Sequence, residues 1–230
     1  MGNLCIIPAR GGSKRIPKKN SKMFLGQPVL LYAIEAAKQT KLFNTIMVST
    51  DDEDIAAIAR THGADVPFMR SAANSSDYAT TYDVLAEVLD CYAKHNDSFT
   101  NACCIYPCTP LLNPANIIQG ITTLTTKDYD TVITLVKYAT PVQRAYTVND
   151  HTITMMYEEY ANTRSQDLTP AYYDAGQFYW FNVNKLLHNK TLIGNNMGAV
   201  ILKETEVQDI DNETDWKLAE LKYKIANAKI

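Results

Sequence analysis

The sequence lacks any apolar run near the length that a membrane-spanning helix needs. Crossing a bilayer takes about 20 consecutive apolar residues, and the run Met1-Gly2-Asn3-Leu4 leads directly into a strand-like segment, with no signal-peptide core. An excess of positive charge is also missing, since 22 basic residues face 25 acidic ones and the net charge is −3. General binding to nucleic acid or to an anionic membrane is therefore disfavoured. We expect a cytoplasmic protein that binds neither nucleic acid nor a membrane.

Paired cysteines and clustered histidines are missing as well. The five cysteines are odd in number, which favours free buried thiols in a reducing compartment over disulfides or a metal site. Cys103 and Cys104 are adjacent on a predicted strand, so their side chains should point to opposite faces. The four histidines show no metal-ligand spacing, and no Ser/His/Asp arrangement supports acyl transfer. All four are interpreted as surface or loop residues.

Strand-like and helix-like segments alternate through the first half of the 230 residues. Such alternation predicts an α/β fold with a doubly wound, mostly parallel sheet, in one domain spanning residues 1–230. Asp51 is a candidate N-cap for the helix after the second long strand. From Lys137 the pattern changes to a hairpin about Asn149-Asp150 and then to a polar stretch. We interpret residues 137–175 as an insertion.

A basic loop follows the first strand. Leu4–Ile7 is apolar, and the next fifteen residues contain six cations and no acid: Arg10, Lys14, Arg15, Lys18, Lys19 and Lys22. Gly11 and Gly12 allow backbone N–H groups to turn inward, which with nearby cations is a way to bind a polyphosphate. Neither a Walker motif nor G-x-G-x-x-G is present, so a nicotinamide dehydrogenase is a remote alternative. A solvated basic turn is the simpler alternative.

A second motif, Asp209-Ile210-Asp211, lies near the C-terminus. Two carboxylates one residue apart on an extended segment project to the same face and can share a hard cation. Taken alone the motif is equally typical of a helix cap or a surface segment. Asp215, which follows it, is interpreted as structural.

The run from Ile7 to Asn20 resembles the signature of the cytidylyltransferases that activate sialic-acid-like sugars. The resemblance extends over essentially the whole chain. It implies a fold of the nucleotide-diphospho-sugar transferase type and a reaction in which CTP and a nine-carbon 2-keto acid sugar give the CMP-sugar and pyrophosphate. It also implies Mg²⁺ bound by Asp209 and Asp211, and a homodimer in which the insertion reaches the partner's sugar site.

Individual roles follow from the same resemblance. The residues expected to act in catalysis are Lys19, Arg10 and Asp211. Those expected to bind the nucleotide are Arg10, Gly11, Gly12, Ser13, Lys14, Asn20, Arg70, Asp77, Ala79, Thr80 and Thr81. From the residues alone, Arg70 is equally well explained by an ion pair with a nearby carboxylate, and Asp77 by a capping role.

The sugar acid requires cations for its carboxylate, and Arg144 and Arg164 lie in the insertion, where such contacts are expected. The runs Arg164–Leu168 and Asp174–Trp180, together with Tyr106, resemble the branch of the family that uses pseudaminic acid. Hydrogen bonds to its N-acyl groups and an apolar wall would come from a further group of candidates: Tyr106, Gln166, Gln177 and Tyr179. The alternatives are synthesis of CMP-N-acetylneuraminate or CMP-legionaminate, or a nucleotide-binding module without turnover.

Overall fold

A six-stranded sheet forms the centre of the structure. The computed structural model describes residues 2–228, so the predicted domain limits at 1 and 230 lie outside the described residues. The strands in chain order are β1 (Gly2–Pro8), β2 (Met23–Phe24), β3 (Gln27–Pro28), β4 (Thr45–Ser49), β5 (Phe99–Ile105), β6 (Thr131–Lys137), β7 (Tyr146–Asn149), β8 (Thr152–Met155), β9 (Tyr172–Asn182) and β10 (Met197–Leu202). The α-helices are α1 (Val29–Thr40), α2 (Glu53–Thr61), α3 (Thr81–Lys94), α4 (Pro114–Lys127), α5 (Val183–Asn189) and α6 (Glu213–Asn227).

The order of strands in the central sheet is β10-β6-β9-β5-β1-β4. β1 pairs in parallel with β4 and β5, and β6 pairs in parallel with β10. β9 is antiparallel to both of its neighbours, β5 and β6. All strands of this sheet except β9 therefore have their carboxyl ends at the same edge. The predicted mostly parallel sheet is confirmed.

Alternate residues of the central strands supply two separate cores. Cys5, Ile7 and Cys103 face a cluster that includes apolar residues of α1, α2 and α4. Leu4 and Cys104 face the opposite cluster, which includes α3 and α5. The sheet is thus covered on both faces, and Cys103 and Cys104 point to opposite sides, as predicted. No helix within residues 2–228 combines the length and the apolar character that crossing a bilayer requires.

A third cluster connects the two ends of the chain. Ile16 from the basic loop and Ile210 from the acidic motif are both about 1% exposed, and they share this cluster with Phe24 and with Trp216 of α6. Phe24 and Trp216 make an edge-to-face contact with ring centroids 5.6 Å apart. Because each motif contributes a buried isoleucine to one core, the two are held next to each other.

The N-terminus of α2 corrects one prediction. Asp52, not Asp51, is the N-cap, and its Oδ1 accepts a hydrogen bond of 3.0 Å from the N–H of Ile55. Asp51 is one residue too early for that role, and its carboxylate instead accepts from the N–H of Gly11 at 2.9 Å. The first two helical residues, Glu53 and Asp54, are acidic, which suits a helix N-terminus.

The predicted hairpin is present. β7 and β8 pair in antiparallel register around a turn at Asp150 and His151, both with positive φ. Exposed apolar residues lie along residues 137–175: Tyr138, Tyr146, Val148, Ile153, Met156, Tyr160 and Tyr172. The segment therefore presents far more apolar surface than a solvated loop needs. β9 starts at Tyr172, so the last residues of the predicted insertion belong to the central sheet.

Candidate active site

A cavity of about 640 Å³ opens at the carboxyl ends of β1 and β5. Ligands of open α/β sheets bind at this edge. Its lining residues are Pro8, Arg10, Ser13, Lys14, Arg15, Lys19, Asn20, Asp77, Tyr106, Pro107, Cys108, Thr109, Ala175, Gly176, Gln208 and Asp209. The basic loop and the acidic motif, nearly 200 residues apart in sequence, thus meet in one cavity.

The basic loop is held in shape by polar contacts. Asn20 is buried, and its Nδ2 donates to the carbonyl of Arg10 at 2.9 Å. At Gly11 an added Cβ would lie 2.6 Å from Asp52 Oδ2, so a larger residue would push the loop away from α2. Asn20 was predicted to bind nucleotide, and the contact seen in the structure is one that fixes the loop.

Two of the cations contact one carboxylate. Asp77 accepts a hydrogen bond of 2.8 Å from Arg10 Nη1 and another from Lys14 Nζ. These bonds, with that from Lys14 the larger effect, hold the pKa of the Asp77 carboxyl below its usual value. Asp77 is therefore ionised at neutral pH.

Lys19 and Arg15 flank the acidic motif. Lys19 Nζ lies 3.9 Å from Asp211 Oδ1, and Arg15 Nη1 lies 2.5 Å from Asp211 Oδ2. The Lys19 side chain is only 20% exposed, although its charged end reaches the cavity.

The other two cations of the loop are paired outside the cavity. Lys18 reaches Asp54 at 3.5 Å. Lys22 reaches Glu213 at 2.5 Å and lies over the Trp216 ring, 4.6 Å from its centroid. Of the three cations to which the sequence assigned no role, Arg15 lines the cavity and Lys18 and Lys22 do not.

The acidic motif alternates between accessible and buried residues, as expected for an extended segment. Ile210 is buried while Asp209 is exposed and Asp211 half-buried, and Asp209 lines the first cavity. Asp215 closes the motif by accepting from the N–H groups of Asp211 and Asn212, at 2.9 and 3.1 Å, in the capping box of α6. The structural role predicted for Asp215 is thereby confirmed.

A second cavity of about 530 Å³ adjoins the first, and Tyr106 lines both. The Tyr106 hydroxyl lies 2.9 Å from Thr81 Oγ1, and Tyr179 donates to Asp174 Oδ2 at 2.8 Å. The two tyrosine rings are 5.4 Å apart between centroids. Burial raises the pKa of both phenols, so they remain neutral. Tyr106 therefore borders both cavities, and its ring packs with that of Tyr179 to form an aromatic wall beside the second.

A family model described as cytidylyltransferase matches residues 4–215 of the chain. The chain belongs to the cytidylyltransferase family. It is 36% identical to the pseudaminic acid cytidylyltransferase of Campylobacter jejuni, over 98% of this chain and 97% of that protein. It is 29% identical to the N-acylneuraminate cytidylyltransferase of Escherichia coli, over 94% of this chain and 51% of that protein.

Among solved structures, the fold of this cytidylyltransferase matches that of a CMP:2-keto-3-deoxy-manno-octonic acid synthetase complexed with CTP. The TM-score is 0.72 with 16% identity, over 98% of this chain and 99% of the other. At that identity the match concerns the fold alone. The family and the fold type that the sequence predicts are both confirmed, and so is the reaction class, a CTP-dependent nucleotidyl transfer.

The acidic motif of the cytidylyltransferase fits a hard dication that arrives with a nucleotide. Among residues 2–228, no three or more His, Cys, Asp or Glu side chains are grouped so that they could bind a metal ion. Further ligands would have to come from the nucleotide. Mg²⁺ is commonly bound by one or two carboxylates together with substrate phosphates. Asp209 and Asp211 provide such a pair beside the cations of the loop.

Arg70 lies behind the cavity and does not line it. Its guanidinium is buried, donating from Nε to Ser49 Oγ at 3.0 Å and from Nη2 to the Ser49 carbonyl. Burial is the main cause that lowers its pKa. Within residues 2–228 it forms no ion pair, and its observed role is to fix the end of β4. Its predicted contact with the base stays a prediction.

Thr80 and Thr81 occupy the N-terminus of α3. Thr80 is the N-cap and forms a capping box with Asp83, and both threonines line the second cavity. Ala79, which precedes them, lines neither of these two cavities.

Several predicted sugar contacts lie away from both cavities. Arg144 donates to the Thr163 carbonyl, and Arg164 pairs with Asp167 at 2.7 Å. Gln166 lines a separate cavity within the insertion. Gln177 is 3% exposed and donates to the Glu206 carbonyl at 2.6 Å. None of these four residues lines the first or the second cavity.

Sequence reasoning identified Tyr106 after β5 but missed the residues that follow it. Cys108 and Thr109 line the first cavity, as does Gly176, whose φ is +59°. Burial raises the pKa of the Cys108 thiol to about 12. The thiol therefore stays un-ionised and is a weak nucleophile, so Cys108 contributes only to the lining of the cavity. The available signal was Pro107 and Pro110, which bend the chain where a parallel strand ends and ligands bind.

Proposed function

We propose that this cytidylyltransferase couples CTP to pseudaminic acid and forms CMP-pseudaminic acid and pyrophosphate. The observation that carries the proposal is the 36% identity, over nearly the full length of both chains, to the C. jejuni enzyme of that name. The aromatic wall formed by Tyr106 and Tyr179 supports it, because it offers apolar surface beside the cavity.

The proposed reaction is an in-line displacement at the α-phosphate. The anomeric hydroxyl oxygen of the sugar forms a bond to the α-phosphorus as the bond to the bridging oxygen of pyrophosphate breaks, and the hydroxyl proton is lost. No protein nucleophile takes part. Arg10 and Lys14, with Ser13 and the loop N–H groups, bind the β- and γ-phosphates. Lys19 lies nearest the α-phosphate, where it stabilises the growing negative charge.

Asp209 and Asp211 are the residues that we propose to hold Mg²⁺. A bound dication neutralises phosphate charge and orients the leaving group. Two observations support this assignment: Asp209 lines the cavity, and Asp211 Oδ1 lies 3.9 Å from Lys19 Nζ. A nucleotide-binding module without turnover is the alternative, and it has no need for two carboxylates next to an anionic ligand.

Asp209→Asn and Asp211→Asn are each expected to raise the Mg²⁺ concentration needed for half-maximal activity, with Asp211→Asn the more damaging. Each change removes one of two anionic ligands, for a loss on the order of tenfold or more in apparent metal affinity. Titrating activity against Mg²⁺ measures this. Glu213→Gln is the matched control, since Glu213 is the neighbouring acid but pairs with Lys22. If both aspartate variants titrate like the parent, the metal binds elsewhere.

The substrate is tested by turnover of pseudaminic acid, N-acetylneuraminate and a legionaminic acid with CTP. Pseudaminic acid has two N-acyl groups and a methyl terminus, whereas N-acetylneuraminate ends in a glycerol chain. An apolar wall leaves glycerol hydroxyls without partners, at about 1–3 kcal/mol for each buried unpaired group. We expect pseudaminic acid to be preferred in kcat/KM by at least roughly tenfold. Equal turnover, or preference for another sugar, would refute the substrate assignment.

Three further parts of the proposal concern the whole protein. We propose one domain spanning residues 1–230, with the 137–175 insertion acting at the partner's site in a homodimer. The exposed apolar residues of the insertion support this assembly. We also propose a cytoplasmic location, which the five free cysteines support.

A further inference from the structure

Asp77 places a carboxylate on two of the cations that the nucleotide is proposed to use. Its two oxygens contact Arg10 Nη1 and Lys14 Nζ, and Arg10 Nη1 also donates to the Ser76 carbonyl at 3.2 Å. A carboxylate and a phosphate are both oxyanions that accept charge-assisted hydrogen bonds from such donors. Asp77 therefore occupies hydrogen-bond donors that a phosphate oxygen could also use.

Asp77 lies in the segment of residues 76–79. Hydrogen bonds fix the chain before and after this segment, but few are made by the segment itself. On the N-terminal side, Glu87 accepts from Ser71 N at 2.9 Å and from Asn74 Nδ2 at 2.6 Å. On the C-terminal side, Thr80 is fixed by its capping box with Asp83.

Between these anchors, no backbone N–H of residues 76–79 donates a hydrogen bond to any other residue of the described chain. Tyr78 is 94% exposed. The contacts of Ser76 and Asp77 with Arg10 and Lys14 are thus the main ties between this segment and the cavity, and losing them would free the segment without disturbing its anchors.

We propose that Asp77 is an intramolecular competitor for the phosphates of the nucleotide, released from Arg10 and Lys14 when the triphosphate binds and returning when pyrophosphate leaves. This role concerns the affinity for phosphates, and it rests on the proposed function only in that Arg10 and Lys14 bind phosphate. A phosphate that binds to the same Arg10 Nη1 and Lys14 Nζ atoms lies close to the Asp77 carboxylate, and the two like charges repel each other. The apparent affinity for a phosphate ligand is then lower than the intrinsic affinity by the fraction of molecules in which Asp77 is released.

The test compares Asp77→Asn with the parent by calorimetric binding of inorganic pyrophosphate and of CTP, with a chelator present to remove divalent metal. Asparagine keeps the shape of the side chain and removes its charge. We expect pyrophosphate to bind on the order of tenfold more tightly to the variant. Asp54→Asn is the matched control, because Asp54 pairs with Lys18 of the same loop but outside the cavity. It should leave the affinity within about twofold of the parent.

Unchanged or weaker pyrophosphate binding by Asp77→Asn would overturn the proposal, and weaker binding would make Asp77 a residue that positions the two cations. A second measurement uses the parent protein alone. Chymotrypsin cleavage after Tyr78 should become faster when pyrophosphate is added, because the segment is released. Slower or unchanged cleavage would contradict the proposal even if the variant fails to fold. Neither measurement involves a sugar, so failure here is distinct from failure of the substrate assignment.

Discussion

Lys19→Ala is expected to lower kcat by about 10²–10³-fold, the usual loss when a donor that stabilises transition-state charge is removed. The Lys19 side chain is largely buried, its amine lies 3.9 Å from Asp211, and it lines the cavity together with other residues of the basic loop. Because the proposed contact matters most as charge grows on the α-phosphate, KM for CTP should change far less than kcat. Steady-state kinetics with CTP and pseudaminic acid measure both constants.

Lys18→Ala is the matched control for this change. Lys18 is the adjacent cation of the same loop, but it is exposed and pairs with Asp54 outside the cavity. It should retain kcat within about twofold, since exposed ion pairs contribute little. The melting temperature of each variant separates a catalytic loss from a folding defect. If Lys19→Ala keeps near-parental kcat, Lys19 has no part in the mechanism.

Mixing Lys19→Ala with Arg144→Ala is expected to restore activity that neither variant has alone. In the proposed homodimer, Arg144 of one subunit completes the sugar site beside Lys19 of the other. A mixed dimer then holds one intact site and one doubly damaged site. Since half of the dimers in an equal mixture are mixed, about a quarter of all sites should work. Activity of the mixture after subunit exchange, compared with each variant alone, measures this.

The position of Arg144 in one chain supports the experiment. Arg144 lies in the insertion, donates to the Thr163 carbonyl and has a buried Nε without a hydrogen-bond partner among the described residues. A control mixture of Lys19→Ala with Asp211→Asn should be no more active than the two variants measured separately, because both changes fall on the same side of the proposed interface. A monomeric mass at working concentration, or a mixture no more active than its parts, would rule out the shared site.

Much of the site could be predicted because its motifs are local. The basic loop follows an apolar strand, and its glycines and cations are contiguous in sequence. The two aspartates share a face because side chains alternate along an extended segment, and buried Ile210 between them shows that alternation. The β/α alternation and the turn of the insertion hairpin are likewise patterns of a few residues.

The misplaced cap and the missed cavity wall have a different cause. Asp51 and Asp52 are residues of the same type, so the sequence does not indicate which of them caps α2. In the structure the Asp51 carboxylate accepts a hydrogen bond from the Gly11 N–H, and Asp52 caps the helix. Cys108 and Gly176 reach the cavity from segments far apart in sequence, and no local signal marks that meeting. The reversed direction of β9 between two parallel pairs is a similar case, since strand pairing is set by tertiary packing.

The sequence by itself determined the family, through a contiguous signature, and the mostly parallel α/β sheet, through short-range periodicity. It also located the two motifs, because each is a short run of residues. The tertiary structure alone decided which charges meet. It paired Asp77 with Arg10 and Lys14, and Arg15 with Asp211, and it turned Lys18 away from the cavity. The physical reason is the third core, where buried isoleucines from the two motifs join and so fix the distances between side chains that sequence spacing leaves free.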